Sequence, residues 1–182
     1  MSTNKYRNHV IVYAEDNHRI KGATVKLAHA WFNTKAGSVF DRGKALIKHC
    51  QGWRGAVQSA VDDNQLNTSK GAHRRIVILV DFDGANRLQD IKDTIAREVP
   101  FYADKFYVVG WSGKIEELKV RFDCAGKGFE KLAGKLVEDC QSGCHGIWNE
   151  NEFNQMREMM DGNKSELQRL KDDVLPLIRY AC

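Results

Sequence analysis

The sequence predicts an α/β fold, a three-layer sandwich in which helices cover both faces of a mainly parallel sheet of about four strands. Two observations support this prediction. Short apolar runs alternate along the 182-residue chain with longer segments of helical spacing. The run over 75–80, R-I-V-I-L-V, is apolar on both faces behind its first residue, as expected of a central strand that is covered on both sides.

The segment before that run is predicted to hold one strand and two helices. The β-branched run over 9–14 predicts the first strand, and the polar, acidic turn behind it begins a helix over 18–32. Apolar side chains along one side predict a second helix over 41–62. The stretch over 63–71 is polar and rich in turn-forming residues, which predicts a loop.

The segment after the central strand is predicted to add a strand over 105–111 and a short fourth strand within 146–148. Mixed charges between 164 and 173 indicate a helix with a solvated outer face. The helices predicted in this segment cover 88–98, 115–122, 128–140, 152–160 and 165–180.

A single domain is expected, with its sheet in about 8–122 and a C-terminal helical part in about 126–182. The longest purely aliphatic run has five residues, so no membrane span is expected, and the polar N-terminus shows no secretory signal. Five irregularly spaced cysteines then indicate free thiols in a reducing cytoplasm.

The charge of the chain is unevenly distributed. Residues 1–80 carry 13 Lys and Arg against 5 Asp and Glu, a balance of +8, whereas residues 81–182 have a balance of −4. A basic half of this kind suits a polyanionic partner such as nucleic acid, although a solvated basic surface has the same composition.

Acidic residues follow the predicted parallel strands at the points where these end. Glu15 ends the first strand, Asp81 and Asp83 end the central strand, and Glu117 lies behind the third. Ligands of parallel sheets gather at the carboxyl ends of the strands, near a reversal in strand order. Carboxylates that converge there need a cation, and their hard oxygens suit Mg²⁺ or Mn²⁺. Gly84 lets the backbone turn directly after them, so that a phosphate can approach closely.

Two segments of the chain resemble the Toprim domain. They are H-V-I-V-Y-A-Glu15 and I-V-I-L-V-Asp81-Phe82-Asp83-Gly84, within a stretch of about 8–117. This domain is shared by topoisomerases, bacterial primases, OLD-family nucleases and small ribosomal-RNA maturation nucleases. The resemblance implies a compact Toprim/Rossmann-like sheet and a small, stand-alone nuclease that acts on DNA or RNA.

The resemblance also implies roles for the acidic residues. Glu15 would be the acid/base or metal-ligand glutamate, and Asp81 and Asp83 would be the metal-binding pair. Either Glu116 or Glu117 would match a further acidic residue of OLD-like nucleases, and we assign Glu117 to the metal site.

Basic residues near the acidic edge are candidates for contacts with the phosphates of a nucleic acid. Arg87 and Lys114 lie on that edge, where they would hold a phosphate or neutralise a transition state, and Lys114 is assigned to the catalytic group. Arg19, Lys21 and Lys26 on the first helix would line a nucleic-acid path. Ordinary solvated cations are the alternative for each position.

Two other functions remain open. The segment ending in Asp81-Phe82-Asp83-Gly84 also resembles the nucleophile motif of haloacid-dehalogenase-like phosphatases, in which Asp81 would attack phosphorus. The chain could instead be a non-catalytic Toprim-like factor that binds a protein or a nucleic acid, in a defence or counter-defence system. The oligomeric state is left open.

A zinc set is a further alternative. Cys140, Cys144 and His145, with His49 and Cys50, have the ligand types for it, but structural zinc sites usually show tighter paired spacing. Buried free thiols are therefore the preferred interpretation. The four tryptophans are interpreted as packing residues, with base stacking as the alternative.

Overall fold

The structure is a computed structural model. It describes residues 10–16, 22–33, 45–63, 74–82, 86–111, 119–120, 123–126 and 128–142, together with residues 166, 169, 172 and 173. Within this part of the chain no helix is both long and apolar enough to cross a membrane.

A four-stranded, all-parallel sheet organises the fold, which is the α/β, Rossmann-like architecture that the sequence predicts. Its strands are β1 (Val10–Ala14), β2 (Ala45–His49), β3 (Arg75–Asp81) and β4 (Phe106–Trp111), in the order β2-β1-β3-β4. The register pairs Val10 with Ala45 of β2 and with Arg75 of β3. The helices are α1 (Ala23–Asn33), α2 (Gly52–Val61), α3 (Arg87–Glu98), a 3-10 helix (Pro100–Lys105) and α4 (Phe129–Ser142).

The two central strands, β1 and β3, are buried on both faces because each face carries its own helix layer. One face of β1 and β3, which includes Tyr13 and Ile78, packs with α2 and α3 in one apolar core. Residues of the opposite parity, such as Val12 and Leu79, are also fully buried. Since α1 packs against α4 and against β1, these two helices form the second layer. This two-sided burial explains why β1 and residues 76–80 of β3 carry apolar side chains in succession instead of alternating with polar ones.

The structure confirms the predicted strands over 9–14, 75–80 and 105–111 and the predicted helices over 88–98 and 128–140 to within a few residues. The helix predicted over 18–32 is observed from Ala23. The remaining predictions, including the strand within 146–148 and the helix over 152–160, lie mostly or wholly outside the described residues.

The single helix predicted over 41–62 is wrong, because its first half contains an edge strand. Ala45–His49 forms β2, which pairs with β1 along its whole length, and only Gly52–Val61 is helical. Gly52, the first residue of α2, has a φ of +70°, a left-handed conformation that favours glycine, and this turn marks the change from strand to helix. Pairing with β1 has overridden a weak helical pattern in this segment. The sequence of the segment alone does not reveal such pairing.

A buried polar cluster joins β1, β2 and the end of α2. The Tyr13 hydroxyl donates a hydrogen bond to Asp63 Oδ2 at 2.6 Å, and Lys48 Nζ lies 3.0 Å from the same hydroxyl and 3.4 Å from the carboxylate. Burial raises the pKa of the Tyr13 hydroxyl, and the neighbouring Asp63 carboxylate raises it further. The hydroxyl therefore stays protonated and ties the end of α2 to the centre of the sheet.

Residues near the C-terminus cover the exposed edge of β4. Glu166 Oε2 accepts a hydrogen bond from the Val108 amide at 3.2 Å, and Arg169 donates to the Phe106 carbonyl. Asp173 accepts from the Tyr107 hydroxyl. The sequence indicated a solvated outer face for 164–173, but these three charged residues contact β4 instead. They occupy edge groups that would otherwise be open to pairing with another chain.

The strand order reverses between β1 and β3. From β1 the chain moves outward to β2, and it then returns to the other side of β1 to form β3. The connections that leave β1 and β3 diverge at this reversal, and in open α/β sheets ligands bind in the crevice so formed, outside the carboxyl ends of the strands.

Close packing of β4 against β3 generates a first prediction. A Cβ on Gly110 would overlap the Val80 carbonyl oxygen and lie 2.8 Å from the Phe82 ring. We expect Gly110→Ala to lower the free energy of unfolding by about 2 kcal/mol or more, because strand and ring must move apart. Gly55→Ala in α2 is the matched control: its Cβ meets nothing closer than 4.0 Å, and helix propensity predicts a gain of about 0.5–1 kcal/mol. Urea unfolding measures both, and equal effects would contradict the packing described.

Candidate functional site

Glu15 and Asp81 meet at the reversal in strand order. The backbone N–H of Glu15 donates to the Leu79 carbonyl at 3.1 Å, which continues the pairing of β1 with β3 beyond the last residue of β1. The Glu15 carboxylate then accepts a hydrogen bond from the backbone N–H of Asp81 at 2.8 Å. Two acids that are 66 residues apart in sequence therefore lie at adjacent strand ends.

The backbone of Glu15 is also held from the other side. The Cys50 amide donates to the Ala14 carbonyl at 2.9 Å, and the Gly52 amide donates to the Glu15 carbonyl at 3.0 Å. Glu15 thus contacts β3 through its N–H and the first residue of α2 through its C=O. The backbone of Glu15, which carries the carboxylate, is therefore held by hydrogen bonds on both sides.

Arg87 contacts the same turn from the start of α3. Its guanidinium donates to the Asp81 carbonyl at 2.7 Å and lies 5.4 Å from the centre of the Trp53 ring. The guanidinium of Arg54 lies 5.1 Å from that ring. We call Trp53, Arg54 and Arg87 the tryptophan cluster. It stands at the beginnings of α2 and α3, beside the two acids.

A second group of cations and an aromatic ring stands in the other helix layer. Lys26 Nζ lies 5.7 Å from the centre of the Phe129 ring, and Lys119 Nζ lies 4.8 Å from it. We call these three residues the phenylalanine cluster. Lys26 is in the first turn of α1, which follows the carboxyl end of β1, so this cluster belongs to the same edge of the sheet as the acids.

Asp16, which directly follows Glu15, binds the first turn of α1 instead of joining the two acids. Its carboxylate accepts a hydrogen bond from the Thr24 amide at 2.7 Å, in the first turn of α1. Gly22 lies directly against this carboxylate, where a Cβ would overlap it. Asp16 therefore caps α1 and complements the positive end of its dipole, and we leave it out of the acidic pair.

The structure places some of the predicted site residues and leaves others undescribed. Glu15 and Asp81 are brought together, and Arg87 and Lys26 lie at the same edge. The remaining predicted site residues, which are Arg19, Lys21, Asp83, Lys114 and Glu117, lie outside the described residues.

Sequence reasoning missed Arg54, Lys119 and Phe129. The signal available for Arg54 is a cation next to an aromatic residue, two residues behind a glycine that begins a helix. That signal becomes visible only once β2 is recognised as a strand. Lys119 and Phe129 belong to the connection after β4, and their nearness to Lys26 follows from tertiary packing.

The proposed zinc ligands are only partly described. Cys144 and His145 lie outside the described residues, and Cys140 belongs to the last turn of α4. Burial raises the pKa of the Cys50 thiol, which favours the protonated form over a metal-binding thiolate. His49 faces His29 with ring centres 6.4 Å apart, and burial together with His49 lowers the pKa of His29.

Glu15 and Asp81 carry the type of donor atom that divalent metal ions bind, but two carboxylates do not make a complete ligand set. Glu15 and Asp81 offer carboxylate oxygens, the donors that Mg²⁺ takes from proteins in small number, while water and substrate phosphates supply the rest of its shell. Within the part of the chain that the structure covers, no three His, Cys, Asp or Glu side chains form a group that could hold a metal ion. Glu15 and Asp81 are thus the two described residues of the predicted ligand set with donor oxygens of the type that Mg²⁺ takes, and Asp83 is its further predicted member.

Comparisons with protein-family models, curated proteins and solved structures give no match to this chain.

The bond between Glu15 and Asp81 generates a second prediction. Glu15→Ala removes a charged acceptor from the Asp81 amide, and we expect the free energy of unfolding to fall by about 1.5–3 kcal/mol. Glu15→Gln keeps an acceptor oxygen and removes one of two neighbouring negative charges, so its cost in EDTA should stay below about 1 kcal/mol. Urea unfolding in EDTA measures both variants.

The matched control is Glu98, an exposed glutamate that pairs with Arg97 at the surface. Its alanine and glutamine variants should differ from each other by less than about 0.5 kcal/mol. If the two Glu15 variants differ no more than the two Glu98 variants do, the Glu15 carboxylate does not hold the end of β3.

Proposed function

We propose that the protein is a metal-dependent phosphodiesterase that cleaves DNA or RNA at the carboxyl ends of β1 and β3. The observation that carries the proposal is the hydrogen bond between the Glu15 carboxylate and the Asp81 amide, at the reversal in strand order. It brings two hard-oxygen donors to the place where parallel sheets bind ligands. The basic balance of residues 1–80 and the Toprim resemblance agree with a nucleic-acid substrate.

Glu15 and Asp81 would hold Mg²⁺ or Mn²⁺ in this proposal, with Asp83 as the third ligand. When bound, such an ion lowers the pKa of a coordinated water and stabilises negative charge on a phosphoryl oxygen. The Glu15 carboxylate is oriented by the Asp81 amide, which suits a metal ligand better than a mobile general base. Of the roles that the resemblance implies for Glu15, we therefore choose that of the ligand.

Arg87 would act on the substrate. It contacts the backbone of Asp81 and carries a planar, permanently charged guanidinium at the edge where the phosphate would lie. A fixed cation there would favour the extra negative charge of the transition state over the ground state. Lys114 is proposed for the same task from its sequence position. The proposed setting is the cytoplasm, where the free thiols of Cys50 and Cys124 would stay reduced.

The third prediction concerns catalysis. The purified protein with Mg²⁺ or Mn²⁺ should cleave at least one member of a panel of single- and double-stranded DNA and RNA, and EDTA should abolish the cleavage. Asp81→Asn should lower kcat on the order of 100-fold or more, because it removes a charged metal ligand. The matched control, Asp93→Asn, changes an exposed carboxylate on α3 and should leave kcat unchanged.

Three results would contradict the proposal. Full activity in EDTA or in Asp81→Asn would exclude the metal mechanism. Tight nucleic-acid binding that is insensitive to EDTA and gives no turnover would favour the non-catalytic binding factor. A trapped aspartyl-phosphate on Asp81 would favour the phosphatase.

A further inference from the structure

The two cation–aromatic clusters lie at the same edge of the sheet but in opposite helix layers. The tryptophan cluster stands at the starts of α2 and α3, in the layer that shares one core with Tyr13 and Ile78. The phenylalanine cluster stands at the starts of α1 and α4, in the other layer. Glu15 and Asp81 end β1 and β3, the two strands between these layers. The acidic pair is thus flanked by positive charge on both faces of the sheet.

The positive charges in these clusters are concentrated around single rings. Two guanidinium groups share the Trp53 ring, and two ammonium groups share the Phe129 ring. Within the described residues no carboxylate lies within salt-bridge distance of Arg54, Lys26 or Lys119. Each pair of cations lies within 6 Å of the centre of one ring, so an anion beside that ring would be attracted by both charges.

The chemistry of the clusters favours phosphates over bases as their ligands. Each ring already has cations against it, and Arg54 and Lys26 are exposed, so the groups that face solvent are charged donors. Cations of this kind contact the backbone of a nucleic acid and carry no sequence information directly.

We propose that a nucleic-acid strand crosses the carboxyl edge of the sheet from one helix layer to the other. Its phosphates would contact the tryptophan cluster on one side of Glu15 and Asp81 and the phenylalanine cluster on the other side. This inference rests on the proposed function for its substrate class, and it adds Arg54 and Lys119 as substrate-binding residues and Trp53 and Phe129 as positioning residues. The binding is independent of base sequence.

The fourth prediction tests both sides of this path by binding in EDTA, where no metal-dependent cleavage occurs. Fluorescence anisotropy with labelled single-stranded DNA and RNA of mixed sequence gives log Kd as a function of log salt concentration. Each lost phosphate contact should reduce the slope by about 0.7 for a single strand. We therefore expect a reduction of about 0.7 for Arg54→Ala, about 1.4 for Lys26→Ala/Lys119→Ala and about 2 for the triple variant, which should also bind roughly tenfold more weakly near physiological salt.

The control variant is Lys92→Ala/Lys105→Ala. Lys105 ends the 3-10 helix directly before β4, so it lies at the amino edge of the sheet, opposite the acids, and its Nζ is 5.0 Å from the centre of the Tyr102 ring. Lys92 lies in the middle of α3. This pair removes the same charge as the double variant of the phenylalanine cluster. Its slope should match that of the wild-type protein, and urea unfolding of every variant separates lost contacts from lost structure.

The outcomes separate this inference from the proposed function. If the wild-type protein binds and the control lowers the slope as much as the cluster variants do, or if only one cluster contributes, the crossing path is wrong and the nuclease proposal is unaffected. If all slopes change as expected and no substrate is ever cleaved, the path stands and the nuclease proposal fails. If the wild-type protein binds no nucleic acid, both fail.

Discussion

The parallel pairing of β1 with β3 is the constraint on which the rest of the structure depends. It joins Val10 to Arg75 at one end and Ala14 to Leu79 at the other, and the bonds at Glu15 extend it past the last residue of β1. Because β2 and β4 each add to an outer side of this pair, the reversal in strand order falls at its centre. This register makes Glu15 and Asp81 neighbours. A shift of the register by one residue would turn every side chain of the strand to the opposite face of the sheet.

The same constraint directs the helices. Each helix that follows a parallel strand begins near the carboxyl edge, so the side chains of its first turn surround whatever binds there. Lys26 in α1, Arg54 in α2 and Arg87 in α3 all belong to first turns. A small fold thereby collects cations from distant parts of the sequence around one acidic pair. Two of these three cations, Lys26 and Arg54, belong to residues 1–80, the segment with the net charge of +8.

Sequence predicted the parts of this arrangement that local patterns determine. The centre of β3 is a run of five aliphatic residues over 76–80, and α3 has a regular apolar face with Ile91 and Ile95 buried, so both were recognisable in isolation. Glu15 and Asp81 followed from the rule that ligands gather at strand ends. β2 was not recognisable, since Leu46 of this edge strand is 42% exposed and only the pairing with β1 decides its conformation. That error placed Arg54 in the interior of a supposed helix and so concealed its position beside the site.

Mn²⁺ binding, followed by electron paramagnetic resonance, is the measurement that decides whether Glu15 and Asp81 together hold a divalent cation, as we propose. The spectrum of free Mn²⁺ reports the unbound fraction in the absence of any substrate, so the measurement does not depend on finding the right nucleic acid. We expect the wild-type protein and Asp93→Asn to bind Mn²⁺ alike, and Glu15→Gln and Asp81→Asn each to bind it at least about tenfold more weakly. Equal affinity in all four proteins, or no binding by the wild-type protein, would contradict this proposal.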